Sequence, residues 1–461
     1  MFPRALTRRY PVLANRNFRL LLADRLLAPA AAAFSLVGVS FAVLAATGST
    51  ADLSYVIAAQ AAPSLIFLLI GGVFADRFPP QLVIVVANVM VAAGEGLFGI
   101  LVLTAHPALW VMITLELVTG TGIALFYPAS MALLPRLVPA AQMRDASAIS
   151  RLLMNAAMMA GAALAGECVA AFGAGWALAA CGVGMFGTVP LLLAIRVKPL
   201  DQPGAKPGGT EHPPSMIREL REGWSEFRSH TWLWATVLQY TVVLAAWCGG
   251  FQVLGPAVAR AHLGGPAAWG LISASEATGL IAGGLIALRW MPRRPILYVV
   301  LIGGVIAVAP LSLAMLLPLA VICVTSFGLG VAVETMSVLW TVTMATKIPP
   351  DKLARVSAYD GLGTTMGMPV GALVAGPLAG RIGVPATQYG AAAITLIASA
   401  LALIPRDVRR IRSGPADVVV ADVVVADAAE PTVGDRATHA EPGPASADPV
   451  PAEPDPVPAI A

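Results

Sequence analysis

Gly71-Gly72-Val73-Phe74-Ala75-Asp76-Arg77-Phe78-Pro79-Pro80-Gln81 interrupts two long apolar runs, Leu53–Phe74 and Leu82–Thr104. Each run is long enough to cross a bilayer, because about 20 helical residues span about 30 Å of hydrocarbon. The interruption is therefore a turn at a membrane edge, where the charges of Asp76 and Arg77 reach water. Gly72 lies one helical turn before Asp76, on the same face, and lets another backbone come close.

Ten more runs of the same kind follow from the composition. The chain has 461 residues, 57% of them apolar and 12% charged, where soluble chains carry about 25% charge. The runs are Leu20–Ala46, Leu53–Phe74, Leu82–Thr104, Leu109–Met131, Ala146–Phe172, Trp176–Ile195, Trp232–Val253, Trp269–Arg289, Ile296–Leu317, Leu319–Met344, Val356–Ala379 and Gln388–Ile404. The first run is too long for a signal core and no small-residue cleavage site stands out, so no cleavable leader is expected. Cys168, Cys181, Cys248 and Cys323 all fall inside runs and form no CxxC pair. They read as buried thiols.

Basic residues fix the expected orientation. With the N-terminus inside, 27 of the 29 Lys and Arg fall in the N-terminal segment, the even-numbered connections or the C-terminal segment; Arg260 and Arg381 are the exceptions. That asymmetry places both termini in the cytoplasm and supports the span count. The charge lies along membrane loops and implies no nucleic-acid partner.

The second half of the chain repeats the first. A shift of 210 residues aligns Ser147-Ala148 with Ser357-Ala358, Gly161-Ala162 with Gly371-Ala372, and Ala165-Gly166 with Ala375-Gly376. At a slightly different shift, Gly284 to Arg289 echoes Gly72 to Arg77. Leu288 replaces the acid there, and Arg293 and Arg294 supply a basic pair. The expected organisation is a cytoplasmic N-terminus (1–19), a six-helix bundle (20–196), a cytoplasmic linker (197–231), a second six-helix bundle (232–405) and a tail (406–461). Within the linker, 215–229 reads as an amphipathic helix: Ile217, Leu220, Trp224 and Phe227 recur at spacings of three and four. The tail is rich in Pro, Ala and acids and is expected to be a disordered acidic extension.

Gly-x-x-x-Asp-Arg between the second and third spans resembles the loop signature of the major facilitator superfamily, most of all its drug, macrolide and siderophore exporter branch. Pro79, Pro80 and Gln81 stand where that signature continues with Gly and a basic pair. The resemblance covers about residues 15 to 405. It implies an all-α membrane protein, twelve transmembrane helices in two pseudo-symmetric six-helix bundles joined as a parallel repeat. It also implies a gate formed by Gly72, Asp76 and Arg77 with Arg289 and Asp360. The Asp76 carboxylate would meet the positive N-terminal end of the eleventh span.

Charged groups inside spans are the other candidates, because a carboxylate in mid-membrane must be paired, wet or protonated. Asp24, Glu116, Glu167, Glu276 and Glu334 are candidates for proton coupling or substrate binding, with Gln60, Gln239 and Trp247 beside them. Tyr240, Gln252 and Trp340 also offer polar or aromatic surface. Relatives commonly carry Arg at the place of Glu116, in Arg-x-x-x-Gly, linked there to proton coupling. Here the charge is reversed. Glu167 takes the place of a Pro that follows Gly in exporters. Arg25 is expected to snorkel and to pair locally with Asp24, and Glu95 to be structural.

No phosphate-binding Gly-x-x-x-x-Gly-Lys loop, no nucleophile elbow and no metal spacing of the five His occurs. No enzyme, cofactor or metal is expected. The reading is a monomeric secondary transporter of the cytoplasmic membrane, exporting a small amphipathic or cationic molecule by proton antiport. An importer or uniporter of a small solute, or a non-transporting membrane sensor, stays open.

Overall fold

The computed structural model describes residues 11–77, 79–139, 142–195, 224–287, 290 and 292–412; for 68–77, 127–128, 131–132, 144, 148, 350–351, 353–355 and 358 it describes the backbone alone. The expected gate residues Gly72, Asp76 and Arg77 fall among the latter. Arg289, the first part of the linker and the acidic tail lie outside the described residues.

Twelve long helices follow in order: α1 Arg16–Thr47, α2 Thr50–Arg77, α3 Pro80–Thr104, α4 Leu109–Leu137, α5 Met143–Phe172, α6 Ala174–Leu193, α7 Thr231–His262, α8 Pro266–Ala287, α9 Pro295–Ala314, α10 Leu319–Lys347, α11 Pro350–Ile382 and α12 Val384–Ala402. Over the described residues, 11 helical segments are long and apolar enough to cross a membrane, and α2 runs between two of them. A short α13, Arg406–Arg410, closes the described chain.

Local chemistry sets the ends. The Asn15 side chain caps α1 by accepting from Asn17 N at 2.9 Å and Phe18 N at 3.4 Å. Proline opens α3, α9 and α11, where a missing N–H costs nothing. Two helices differ from the expected runs. α7 passes through a wide π turn, Cys248–Val253, and continues to His262 instead of stopping at Val253. α9 breaks at Ile306-Ala307, because Pro310 cannot donate to the carbonyl four residues back.

Geometry repeats as the sequence does. Gly173 turns α5 into α6 at φ 94°, ψ 164°; Gly383 turns α11 into α12 at φ 91°, ψ 154°. The two glycines are 210 residues apart, and the left-handed φ suits no other residue type as well. Equivalent helices also cross at equivalent glycines. Gly120 of α4 lies on the Gln60 carbonyl of α2, and Gly330 of α10 lies on the Glu276 carbonyl of α8. Gly161 of α5 lies on Ala30 of α1, and Gly371 of α11 lies on Ala245 of α7. The offsets are 210 residues for α4, α5 and α6, 216 for α2 and 215 for α1.

The halves meet along two related seams, α5 against α8 and α11 against α2. At the face carrying the odd-numbered connections the contact is backbone on backbone. A Cβ on Gly166 would stand 2.8 Å from Gly270 Cα and from Pro266 O; one on Gly376 would stand 2.1 Å from Thr50 O. Arg260, a charge exception in the sequence, donates there to the Leu44 carbonyl across the seam. Trp269, fully buried, packs against Phe251 with ring centres 5.3 Å apart. Further along, the first seam passes to side chains: Thr278 Oγ1 to Met159 Sδ at 2.9 Å, then Arg151 to Glu334 at 3.8 Å. α11 contains Pro369 and Pro377, where α5 has Met159 and Glu167.

The described end of the linker is helical at 224–229 and is fastened to α11. Trp224 and Phe227 pack on Tyr359 at 5.5 and 5.8 Å, and Lys352 Nζ bonds to Glu226 at 2.9 Å. That bond, helped by His230, holds the Glu226 carboxyl below the usual carboxylate range. Cys181 and Cys248 are buried, Cys168 and Cys323 half-buried, and all four are free thiols.

Candidate functional site

Three helices of the second half each turn a pair of residues, one helical turn apart, into one cavity. α7 contributes Thr236 and Tyr240, α10 contributes Met336 and Trp340, and α11 contributes Asp360 and Thr364. The cavity holds about 340 Å³. Trp340 Nε1 donates to Asp360 Oδ2 at 3.1 Å, and Trp232 meets the Trp340 ring edge-on at 5.9 Å. The indole fixes the carboxylate while both remain on the cavity wall. Asp360, expected at a gate, thus stands in a pocket of aromatic rings and hydroxyls. That lining suits a ligand with a cationic head and an apolar body.

The first half builds a cluster at the matching positions. Tyr240, Met336, Trp340, Asp360 and Thr364 correspond by the repeat to Arg25, Phe126, Ser130, Ser150 and Met154. These touch one another as well: Arg25 Nη2 bonds to Ser130 Oγ, Arg25 Nη1 reaches Met154 Sδ at 3.6 Å, and the guanidinium lies 5.7 Å from the Phe126 ring centre. A cation occupies the place of the phenol, and a buried, unpartnered hydroxyl (Ser150) occupies the place of the carboxylate. Arg25 is 8% exposed, so it does not snorkel to the surface. It makes no direct ion pair with Asp24, because adjacent helical residues point about 100° apart, but the two opposite charges still attract each other as expected. Asp24, 1% exposed, instead accepts from Asn88 Nδ2 at 3.5 Å, and Asn88 also bonds to Thr188 at 2.7 Å.

The same correspondence places Gln239. It stands where Asp24 stands, with Gly303 for Asn88 at a shift of 215 and with Ser399, one place beyond the 210-residue match of Thr188, in the part of Thr188. Gln239 Nε2 donates to Ser399 Oγ at 3.0 Å and to the Val300 carbonyl at 3.2 Å. Asp24 and Gln239 are therefore polar rivets at three-helix junctions (α1, α3, α6 and α7, α9, α12), away from the cavity lining.

Deeper in each half, α2 crosses α4 and α8 crosses α10. Gln60 Nε2 donates to Glu116 Oε2 at 2.7 Å, and Glu116 is fully buried. Glu276 takes the place of Gln60, and Ser326, buried with an unpartnered hydroxyl, takes the place of Glu116. The acid has changed helices between the halves. Glu276 remains partly accessible and accepts no hydrogen bond from a described residue. Glu95, expected to be structural, is fully buried beside this crossing; Ser35 Oγ donates to its Oε1 at 2.5 Å.

The other candidates lie elsewhere. Glu334 pairs with Arg151 across the seam. Glu167 is exposed, because Gly166 turns the packed side of α5 to α8 and leaves its neighbour outside. Trp247 packs among the buried residues of α7 with its indole N–H unpartnered. Among the described residues no group of three or more His, Cys, Asp or Glu is placed to hold a metal ion. Sequence reading missed Arg25 as the first-half counterpart of a wall residue. The signal was present: Arg25 aligns with Tyr240 once the repeat is applied to the first span.

Known proteins share this architecture. The chain is 25% identical over 346 residues to macrolide efflux protein A of Streptococcus pyogenes, covering 73% of this chain and 83% of the relative. It is 27% identical over 363 residues to the enterobactin exporter EntS of Escherichia coli, covering 77% and 83%. Among solved structures, the nucleoside transporter NupG superposes with a TM-score of 0.62 at 12% identity, covering 85% of this chain and 99% of that one. An auto-inhibited POT family peptide transporter gives 0.65 at 13%, covering 87% and 98%. These last two share the fold alone. The Major Facilitator Superfamily profile matches residues 26–359, and with twelve helices in two related halves the chain is a member of that superfamily of multi-pass membrane transporters.

Proposed function

We propose that the protein exports an amphipathic organic cation across the cytoplasmic membrane in exchange for protons, by alternating access of its central cavity. The observation that carries this reading is the Tyr240–Trp340–Asp360 wall, where a carboxylate is presented among aromatic rings. A cation over an aromatic face gains about 0.5–2 kcal/mol, more when water is excluded. The exporter character of the curated relatives supports the direction. Both termini lie inside by the distribution of basic residues, and Asp76 and Arg77 act at the inner gate. The protein works as a monomer, because one chain carries both six-helix halves and the whole of the described cavity wall.

Ethidium, an amphipathic cation, provides the test. In proteoliposomes containing the full chain, wild type accumulates ethidium against its gradient when the lumen is acid. Asp360→Asn weakens ethidium binding about tenfold or more and removes accumulation, whereas Trp340→Phe weakens binding less. Equal affinity in wild type, Asp360→Asn and Trp340→Ala would refute the wall as the binding site. Accumulation with the opposite gradient polarity would identify an importer.

A further inference from the structure

The two fully buried carboxylates of the first half, Glu95 and Glu116, have no assigned role in the cavity wall. They stand on adjacent helices, α3 and α4, close enough that each feels the other's charge. One oxygen of each is occupied, by Ser35 of α1 and Gln60 of α2 respectively. The other oxygen of each, Glu95 Oε2 and Glu116 Oε1, has no partner. A third unpartnered oxygen joins them: Thr119 Oγ1, on a residue 1% exposed, lies one turn from Glu116 and against Gly94, the neighbour of Glu95. Among the described residues, the Cys181 thiol of α6 also lies within reach of both acids. No Arg, Lys or His among the described residues pairs with either acid. Two negative charges enclosed together without a cation repel strongly in a medium of low polarity. Neither the amide of Gln60 nor the hydroxyl of Ser35 supplies positive charge.

We infer that Glu95 and Glu116 form one internal site that binds a single monovalent cation, a proton or a sodium ion, between Oε2 of the first and Oε1 of the second. Thr119 Oγ1 completes the oxygen cage. The site is distinct from the substrate wall and lies in the opposite half. Gln60, which is partly accessible, bonds to Glu116 directly and is the way out of the site. Loss of the cation recharges Glu116 and tightens its bond to Gln60, so occupancy is reported on α2. This assignment rests on the transporter reading for its purpose, but not for its measurement.

Infrared difference spectroscopy of the full-length protein in phosphatidylethanolamine–phosphatidylglycerol vesicles reads a protonated buried carboxyl directly, with no substrate present. Wild type shows such a band that falls on alkalinisation; Glu95→Gln and Glu116→Gln each lower its intensity and move the midpoint of its titration, because the remaining acid no longer shares the proton. Ser35→Ala, which removes a donor from Glu95 without changing charge, moves the midpoint of the same titration. Replacing potassium by sodium at fixed pH removes the band if sodium is the ligand and leaves it if the proton is. In ethidium assays, both glutamine variants keep downhill equilibration but lose accumulation driven by the ion gradient. If wild type fails to move ethidium, the export reading fails and the infrared result stands on its own. A titration identical in wild type and both glutamine variants, insensitive to sodium, would overturn the site.

Discussion

Gly376→Ala places one methyl group where the two halves touch most closely. Its Cβ would stand 2.1 Å from Thr50 O, 2.2 Å from Ser54 Oγ and 2.7 Å from Ala51 Cα. Ordinary contact begins at 3.4 Å, so α11 and α2 must part by roughly 1.3 Å at this point, 3.4 less 2.1. Most of the obstacle is backbone and cannot rotate away. Overpacking of this kind costs about 1–3 kcal/mol, but only in the state with the odd-connection face closed. The penalty therefore falls on one side of the conformational equilibrium and shifts it by about 5- to 150-fold towards opening of that face. Gly166→Ala meets atoms at 2.8 Å, a shortfall of roughly 0.6 Å by the same subtraction, and shifts it less. Gly380→Ala meets nothing within 4 Å and serves as the control. Spin labels at His106 and Met315, one exposed site on each half at that face, report the separation by double electron–electron resonance in a cysteine-free background. The long-distance population should rise in the order Gly380→Ala, Gly166→Ala, Gly376→Ala. Identical distributions in all three, with normal insertion, would refute the argument that this seam governs closure.

Three further outcomes are expected. Gly120→Ala and Gly330→Ala, whose Cβ atoms would stand 1.9 and 2.1 Å from the Gln60 and Glu276 carbonyls, should each lower stability by about 1–3 kcal/mol, read as thermal unfolding in detergent. Gln239→Ala removes two buried hydrogen bonds and should cost about 1–3 kcal/mol in the same assay while ethidium affinity stays unchanged; a large loss of affinity would move Gln239 into the site. The linker latch should respond to acid. Because the folded Glu226 carboxyl titrates below its ordinary value, its contribution is complete above the ordinary carboxylate range and is lost as pH falls through the depressed value. The pair is partly exposed, so it is worth about 0.2–1 kcal/mol. Hydrogen exchange at 224–229 should quicken in acid for wild type and be quick at every pH in Glu226→Gln.

The span count, the repeat and the chemical class of the protein were readable because each rests on a long-range regularity: apolar length, charge alternation and a fixed shift. The residues of the cavity wall were less readable. Tyr240, Trp340 and Asp360 were named, but hydropathy does not say which side of a buried helix faces the axis. Asp24 and Gln239 were suspected for their polarity alone, and geometry makes them rivets. Glu95 was set aside for lying on the third span, although its neighbour across the helix pair is Glu116. Applying the repeat to polar positions, and not only to glycines, pairs Arg25 with Tyr240 and Gln60 with Glu276 directly. The breaks in α7 and α9 came from local backbone chemistry that an apolar run conceals.

The prolines of α11 have a mechanical consequence. This one helix carries the linker latch at Lys352 and Tyr359, the wall carboxylate at Asp360 and the seam at Gly376. Pro369 severs a rung of its hydrogen-bond ladder between the wall and the seam. The helix is thus a shaft with a joint: the arm carrying the latch and Asp360 bends against the arm carrying Gly376 at less cost than an unbroken helix allows. α5, its uninterrupted counterpart, is a stiff strut. Compliance is then unevenly shared between the halves, gathered on the side of the Tyr240–Trp340–Asp360 wall.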